Sequence, residues 1–225
     1  METHELFRQV AFHLGPVEVT TTMLNSLVVS AILIGLAAMV RGLMKRRLSG
    51  WQVAAEYLIE HLEAIMREMS GRDPRPYMPL VVSLALFIGV ANVLGLLPGL
   101  HSPTADLSTT AALAAVVFLA VPFYGIRARG LWGYLRHYLD PSPLLLPVEI
   151  ITELSRTLAL AVRLFGNVMS EELIIAVLLS FAGLLTPTPM MLLALLTGVV
   201  QAYIFSVLTM VYLSAAVRAE KPRSK

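Results

Sequence analysis

Two apolar segments in the second half of the chain constrain its fold more than any other feature. Residues 144–185 and 190–217 are mostly apolar, and the four-residue run TPTP separates them. At a rise of 1.5 Å per residue, a helix over the first segment would be about 60 Å long, whereas bilayer hydrocarbon is roughly 30 Å thick. An upright helix of that length would extend well beyond the hydrocarbon. We therefore predict two long, strongly tilted membrane helices that form a hairpin.

Three further apolar segments are long enough to cross a bilayer, at about 23–44, 78–97 and 107–126. The whole chain is 57% hydrophobic and only 14% charged, which is typical of a polytopic membrane protein and not of a soluble one. We found no internal repeat and no flexible linker. The predicted fold class is all-α, with about five membrane helices in a single membrane domain over residues 1–225.

Two amphipathic segments lie between these spans. In residues 48–70, Glu56, Glu60, Glu63 and Arg67 recur at helical spacing among apolar residues, which predicts an amphipathic helix that lies on the membrane surface or packs on another helix. The run GLWGYLRHYLDPSP follows the third span and is also predicted to be interfacial. Its candidate headgroup anchors are Trp132, Tyr134 and Tyr138.

The distribution of lysine and arginine predicts the orientation. Of 17 such residues, fourteen fall within 41–47, 67–75, 127–136 and 218–225, and five spans place all four clusters on one side. Because cytoplasmic loops carry the excess of positive charge, the C-terminus is predicted to be cytoplasmic and the N-terminus to lie outside.

A row of polar residues follows the fourth membrane segment. Glu149, Glu153, Arg156, Arg163 and Asn167 are spaced by four, three, seven and four residues, which places them on one helix face. Glu172 lies half a turn round from Arg163 and is predicted to face the other way. On the fifth segment, Thr197 and Gln201 share a face.

Most of these polar residues have a structural interpretation beside a functional one. Glu149, Glu153 and Arg156 could form an ion-pair cluster near the interface, and Asn167 and Gln201 could join two helices by a hydrogen bond. Asp106 is predicted to cap a helix, and His101 is interpreted as a loop residue.

Arg163 is harder to explain structurally, because it is deep in an apolar segment and has no acidic residue three or four positions away. Its insertion costs about 2.5–3.5 kcal/mol at a bilayer centre. We therefore predict a partner for Arg163 on another helix or another chain.

No pattern of catalysis or cofactor binding accompanies these features. The chain has no cysteine, no phosphate-binding G-x-x-x-x-G-K-[ST] run and no H-E-x-x-H zinc motif. A net charge of +2 gives no indication of nucleic-acid binding. We predict a non-enzymatic membrane protein without cofactor or metal.

At RLFGN followed by EELI, the chain resembles subunit a of the F-type ATP synthase, and the resemblance extends over nearly its whole length. The segments LLPVEIITELSRTLALAVRLFGNVMSEELI and QAYIFSVLTMVYLSAA resemble the last two helices of that family. ANVLGLLPG followed by PTADLSTTAAL resembles its middle region.

The resemblance implies a stator subunit whose two tilted helices face a rotating ring of c subunits. It implies that Arg163 is the essential stator arginine, with Asn167 and Gln201 lining the ion path beside it. Glu172 would belong to the outer half-channel, with Glu171 as a possible substitute, and Glu149, with Glu153, to the cytoplasmic one. The implied setting is a bacterial inner membrane, with b-type peripheral stalk subunits as further partners.

Three positions depart from the family pattern: Thr157 replaces a frequent proline, Glu171 a small residue, and no histidine follows His137. The family often has a histidine on its last helix opposite the outer glutamate, near Ala194 here. The make-up of the outer half-channel is therefore open. The alternatives are a sodium-translocating version of the same subunit, a proton-coupled secondary transporter, or a membrane anchor whose Arg163 pairs with a partner's acid.

Overall fold

The computed structural model describes residues 10–14, 17–43, 50–70, 73–97, 100–139, 146–182 and 187–217. Two short strands come first, β1 (Val10–Leu14) and β2 (Val17–Thr20). Six α-helices follow: α1 (Thr21–Leu43), α2 (Gly50–Ser70), α3 (Met78–Leu94), α4 (Leu107–Leu139), α5 (Leu146–Ala182) and α6 (Thr188–Val217). A 3₁₀ turn at Pro103–Ala105 precedes α4.

The predicted membrane helices are present. Helices α1, α4, α5 and α6 are long and apolar enough to cross a membrane, and the shorter α3 is apolar throughout. Helix α5 has 37 residues and α6 has 30, or about 55 and 45 Å at 1.5 Å per residue. Both are longer than one upright crossing, as predicted; their tilt in a bilayer stays a prediction.

Helix α4 differs from the prediction, because it includes the segment expected to be a separate interfacial element. Gly130, at φ 76° and ψ 160°, marks a kink between the two parts. The two interfacial aromatics also differ, since Trp132 is 84% exposed whereas Tyr134 is 8% exposed. Trp132 can therefore serve as an anchor, but Tyr134 is a packing residue. The side chain of Tyr138 lies outside the described residues.

The two strands were not predicted. They form an antiparallel hairpin in which Leu14 pairs with Val17 and Val10 with Thr20, with an irregularity in register between Val10 and Phe12. A period-two pattern of apolar residues around Gly15 and Pro16 is the sequence signal that could have indicated it.

The described residues form two compact units. The first comprises those within 1–47, 85–113 and 161–203. Its buried apolar side chains come from α1, α3, α5 and α6, and they include Val29, Ile88, Leu164, Val168 and Ala202. Buried polar side chains accompany them at Asn92, Ser102, Thr104 and Gln201. This unit also contains Arg163, Glu171 and Glu172.

The second unit comprises residues within 48–84, 114–160 and 204–225. Its core contains Val81, Val117, Phe205, Met210 and Leu213, together with Leu62 and Met66 of α2. On α2, Glu56, Glu60 and Arg67 are exposed, so the predicted amphipathic character of this helix is confirmed. The side chains of Trp51, Val53 and Leu58 lie outside the described residues.

Candidate functional site

Arg163 lies on α5 with an exposed side chain, although the next residue along, Leu164, is fully buried. Among the residues that the structure describes, none forms a hydrogen bond or ion pair with its guanidinium. The predicted partner on another helix of the same chain is therefore not found there. A guanidinium keeps its proton in proteins, so this group presents a permanent positive charge on a membrane helix with no acidic residue three or four positions away.

One turn beyond Arg163, Asn167 is joined to α6. Its Nδ2 donates a hydrogen bond to Oε1 of Gln201 at 2.9 Å, and Gln201 is buried. The hydrogen bond between the two helices, one of the two interpretations of these residues, is thus present. It holds an amide pair within one turn of the exposed arginine.

Glu172 faces the loop between α3 and α4. Its Oε1 accepts a hydrogen bond from the Ser102 amide at 2.6 Å, and its Oε2 lies 3.4 Å from Nδ1 of His101. The Glu172 side chain is 16% exposed and that of His101 is 65% exposed. The carboxylate is therefore mostly shielded, and the more exposed imidazole lies against it.

Glu171 faces α6 and accepts a hydrogen bond from the hydroxyl of Thr197. Both glutamates line a small cavity of about 20 Å³, which has room for about one water molecule. The remaining lining residues are Asn92, Gly95, Leu96, Ser102, Val168, Ile175 and Ala194. The two adjacent carboxylates thus share one cavity while they contact different elements.

A buried hydrogen-bond network fixes the loop that contacts Glu172. The hydroxyl of Ser102 donates to the Ala91 carbonyl at 3.0 Å, and that of Thr104 donates to Oδ1 of Asn92 at 2.6 Å. Asn92 in turn donates to the Gly198 carbonyl on α6 at 3.0 Å. Because every polar group in this chain of contacts has a partner, the loop position is well determined.

Close packing adds to this constraint at Gly95. A Cβ atom at that residue would lie 2.6 Å from the Cβ of Ser102, so only glycine allows the two backbone segments to approach this closely.

Helix α1 also contacts this loop. The Thr22 hydroxyl donates to Oδ2 of Asp106 at 3.0 Å, and Nδ2 of Asn25 donates to the His101 carbonyl at 2.9 Å. Asp106 Oδ1 accepts from the Ser108 amide at 3.0 Å, as expected for a residue that caps α4. Asp106 therefore combines the predicted cap with an unpredicted link to α1.

A second group of ionisable residues belongs to the second unit. Glu149, Glu153 and Arg156 line a cavity of about 80 Å³, together with Tyr134, Tyr212 and apolar residues of α4 and α6. The guanidinium carbon of Arg156 lies 5.9 Å from the centre of the Tyr212 ring, within cation–π range. No ion pair of Arg156 with Glu149 or Glu153 is found in the described part of the chain.

The sequence pattern singled out Glu172 but not the two loop residues that contact it. His101 was interpreted as a loop residue, yet it lies against Glu172, 71 positions away. Ser102 was not singled out at all. The described residues contain no group of three or more side chains able to hold a metal ion.

The chain was then compared with known proteins. The family model described as ATP synthase A chain matches residues 23–214. The protein named ATP synthase subunit a 2 of Pelobacter propionicus is 46% identical over 219 residues, which cover 96% of this chain and 94% of the relative. ATP synthase subunit a 2 of Picosynechococcus sp. is 47% identical over 206 residues, covering 91% and 88%. ATP synthase subunit a of Albidiferax ferrireducens is 50% identical over 175 residues, covering 78% and 76%.

Proposed function

The chain belongs to the ATP synthase A chain family, and we propose that it is a proton-translocating stator subunit that works against a rotating ring of c subunits. Membership makes it a membrane channel subunit of the F-type ATP synthase membrane sector, and the chemistry of ATP belongs to other subunits of that complex. The ion, the ring and the roles of individual residues are the proposal.

The observation that carries the proposal is the exposed guanidinium of Arg163 on α5, which has no hydrogen-bond or ion-pair partner among the described residues. A cation in a membrane helix is stable only with a counter-charge or water. A carboxylate on a ring subunit would supply that charge, and each ring subunit in turn would take the place of the last. Because arginine cannot give up its proton, it can force the carboxylate to ionise without relaying the proton itself.

Two groups of acidic residues support the proposed half-channels. Glu172 and Glu171 share a cavity in the first unit, which we assign to the outer half-channel. Glu149 and Glu153 share a cavity in the second unit, which we assign to the cytoplasmic one. Asn167 and Gln201 lie beside Arg163 and would line the path there. If the half-channels are offset, a proton crosses only when the ring turns, and each charge releases about 2.3 kcal/mol per 100 mV.

The proposed setting is a bacterial inner membrane, with the N-terminus outside and the C-terminus in the cytoplasm. The one-sided distribution of lysine and arginine supports this orientation. Within the ATP synthase, the proposed partners are the c-subunit ring and b-type peripheral stalk subunits.

Removal of the charge at Arg163 tests the proposal. In vesicles with a normally assembled complex, Arg163→Ala should abolish ATP-driven proton pumping and open a passive proton leak, because a protonated ring subunit could then pass between the half-channels. Arg163→Lys should also lose coupling, since an ammonium can release its proton and lacks the planar donor fork. Arg127→Ala, which removes an exposed arginine of α4, is the matched control.

Full pumping without leak in Arg163→Ala would show that Arg163 is a structural ion-pair partner and that the stator assignment is wrong. Arg156→Ala should retain more coupling than Arg163→Ala, because Arg156 already contacts Tyr212. Pumping that requires sodium and persists when the proton gradient is collapsed would identify sodium as the ion. Ion transport by the chain without a ring would indicate a secondary transporter.

A further inference from the structure

We propose that His101 is the group through which protons pass between outside water and Glu172. The inference rests on the proposed function, because it concerns the entrance of the outer half-channel. What it adds is a specific residue, supplied by the loop between α3 and α4 and not by a membrane helix.

The geometry places the imidazole against the carboxylate, and the imidazole is the more exposed of the two groups. Nδ1 of His101 lies 3.4 Å from Oε2 of Glu172, and the exposed fraction falls from 65% for the His101 side chain to 16% for that of Glu172. Contacts that transfer protons are often this long at rest and shorten in the working complex. His101 is therefore the more water-accessible of the two groups in this contact.

The backbone around His101 is held by hydrogen bonds to three helices, whereas its side chain is mostly exposed. Asn25 of α1 donates to the His101 carbonyl at 2.9 Å. The next residue, Ser102, donates its amide to Glu172 at 2.6 Å and its hydroxyl to the Ala91 carbonyl of α3 at 3.0 Å. These contacts fix the backbone that carries the His101 ring beside Glu172.

Other ionisable groups near the ring are engaged elsewhere. Glu171 accepts from Thr197 of α6, and Asp106 accepts from Thr22 of α1 and from the Ser108 amide. From α1 and α6 the side chains that meet this region, at Asn25, Thr22 and Thr197, are uncharged. The carboxylate facing His101 is therefore that of Glu172.

The proposed step is a simple proton transfer. A proton from outside water converts the neutral ring of His101 to imidazolium. The imidazolium then gives its Nδ1 proton to Oε2 of Glu172, which leaves a neutral imidazole and a carboxylic acid. The reverse sequence releases a proton to the outside. Ala194 of α6 lines the cavity that holds Glu172 and can carry no proton, whereas His101 of the loop contacts Glu172 directly.

The test is His101→Ala in the assembled complex, reconstituted in vesicles. We expect passive proton flux and ATP-driven pumping to fall by about 100-fold, the lower end of the range for loss of a proton-transfer group. The dependence of the rate on the pH of the outside water should change shape. Imidazole added to that water should restore much of the flux, which a purely structural defect would not allow.

His61→Ala is the matched control, since His61 is another exposed histidine, on α2 beside Tyr57. An unchanged rate and pH profile in His101→Ala would overturn the inference, and so would a loss of rate that imidazole does not restore. If Glu172→Gln slows the same vesicles in either case, the proposed function stands and only the role of His101 is lost. Wild-type vesicles that do not couple proton flow to ATP would overturn both.

Discussion

The adjacent residues Glu171 and Glu172 show how neighbours in sequence acquire different surroundings. Glu172 contacts the loop through Ser102 and His101, whereas Glu171 contacts Thr197 on α6. Both carboxylates nonetheless line the same small cavity. One can therefore take over part of the other's role if that role is to hold a proton.

We predict that Glu172→Gln slows ion-driven ATP synthesis several-fold and that Glu171→Gln has the smaller effect. The double variant should nearly stop synthesis, because glutamine keeps the shape of the side chain but cannot accept a proton. ATP synthesis by vesicles under an imposed proton gradient measures this. Wild-type rates in the double variant would reduce both glutamates to structural residues.

Local sequence context drew attention to Arg163 but could not predict the contact of His101 with Glu172. An arginine within an apolar segment signals its own cost, so its importance can be inferred without a structure. His101 lies in a turn-rich loop, where a polar side chain carries no insertion cost and is not unusual. Its significance depends on a contact with a residue 71 positions away, and helical periodicity carries no information about such contacts.

Among the elements, α4 shows where sequence patterns are least reliable. The apolar pattern predicted a span that ends near residue 126 and a separate amphipathic segment, but the structure has one helix kinked at Gly130. The kink combines φ 76° with ψ 160°, a backbone region that is essentially restricted to glycine. The hairpin of β1 and β2 was missed because its strands have only five and four residues.

We predict that Gly130→Ala destabilises the protein by about 1–3 kcal/mol, the usual cost of holding a residue in a rare backbone region. Space is not the cause, because no atom lies within 4 Å of the Cβ position at Gly130. The thermal unfolding midpoint of the detergent-purified complex is the measurement. Gly133→Ala is the control, since its Cβ would make an ordinary 3.5 Å contact with Arg129.

An unfolding midpoint for Gly130→Ala equal to that of Gly133→Ala would show that α4 can straighten at this point without strain.

For the whole molecule, the contacts between α1 and the loop agree with the predicted arrangement of spans. Thr22 and Asn25, at the start of α1, contact Asp106 and the His101 carbonyl. The start of α1 and the loop before α4 therefore lie at the same level of the first unit. The distribution of lysine and arginine predicts that both lie outside, away from the positive clusters. These contacts are an independent reason to expect them on the same side of the membrane.

We predict that Leu100→Cys is labelled by a membrane-impermeant thiol reagent from outside, and that Glu68→Cys on α2 is labelled from the cytoplasm. Both side chains are exposed, and the natural chain has no cysteine to give a background signal. Ser102 is unsuitable for this purpose because it is buried. Labelling of Leu100→Cys from the cytoplasmic side alone would reverse the proposed orientation.

The hydrogen bond from the Ser102 amide to Glu172 has a consequence for spectroscopy. At 2.6 Å, the resonance of that amide proton depends strongly on the charge of the oxygen that accepts it. Labelling histidine with ¹³C at its carbonyl and serine with ¹⁵N would select the Ser102 amide, because His101–Ser102 is the one His–Ser pair in the sequence. Whether the Glu172 carboxylate is protonated could then be followed by magnetic resonance at this one amide, without a dye, an electrode or a change to the sequence.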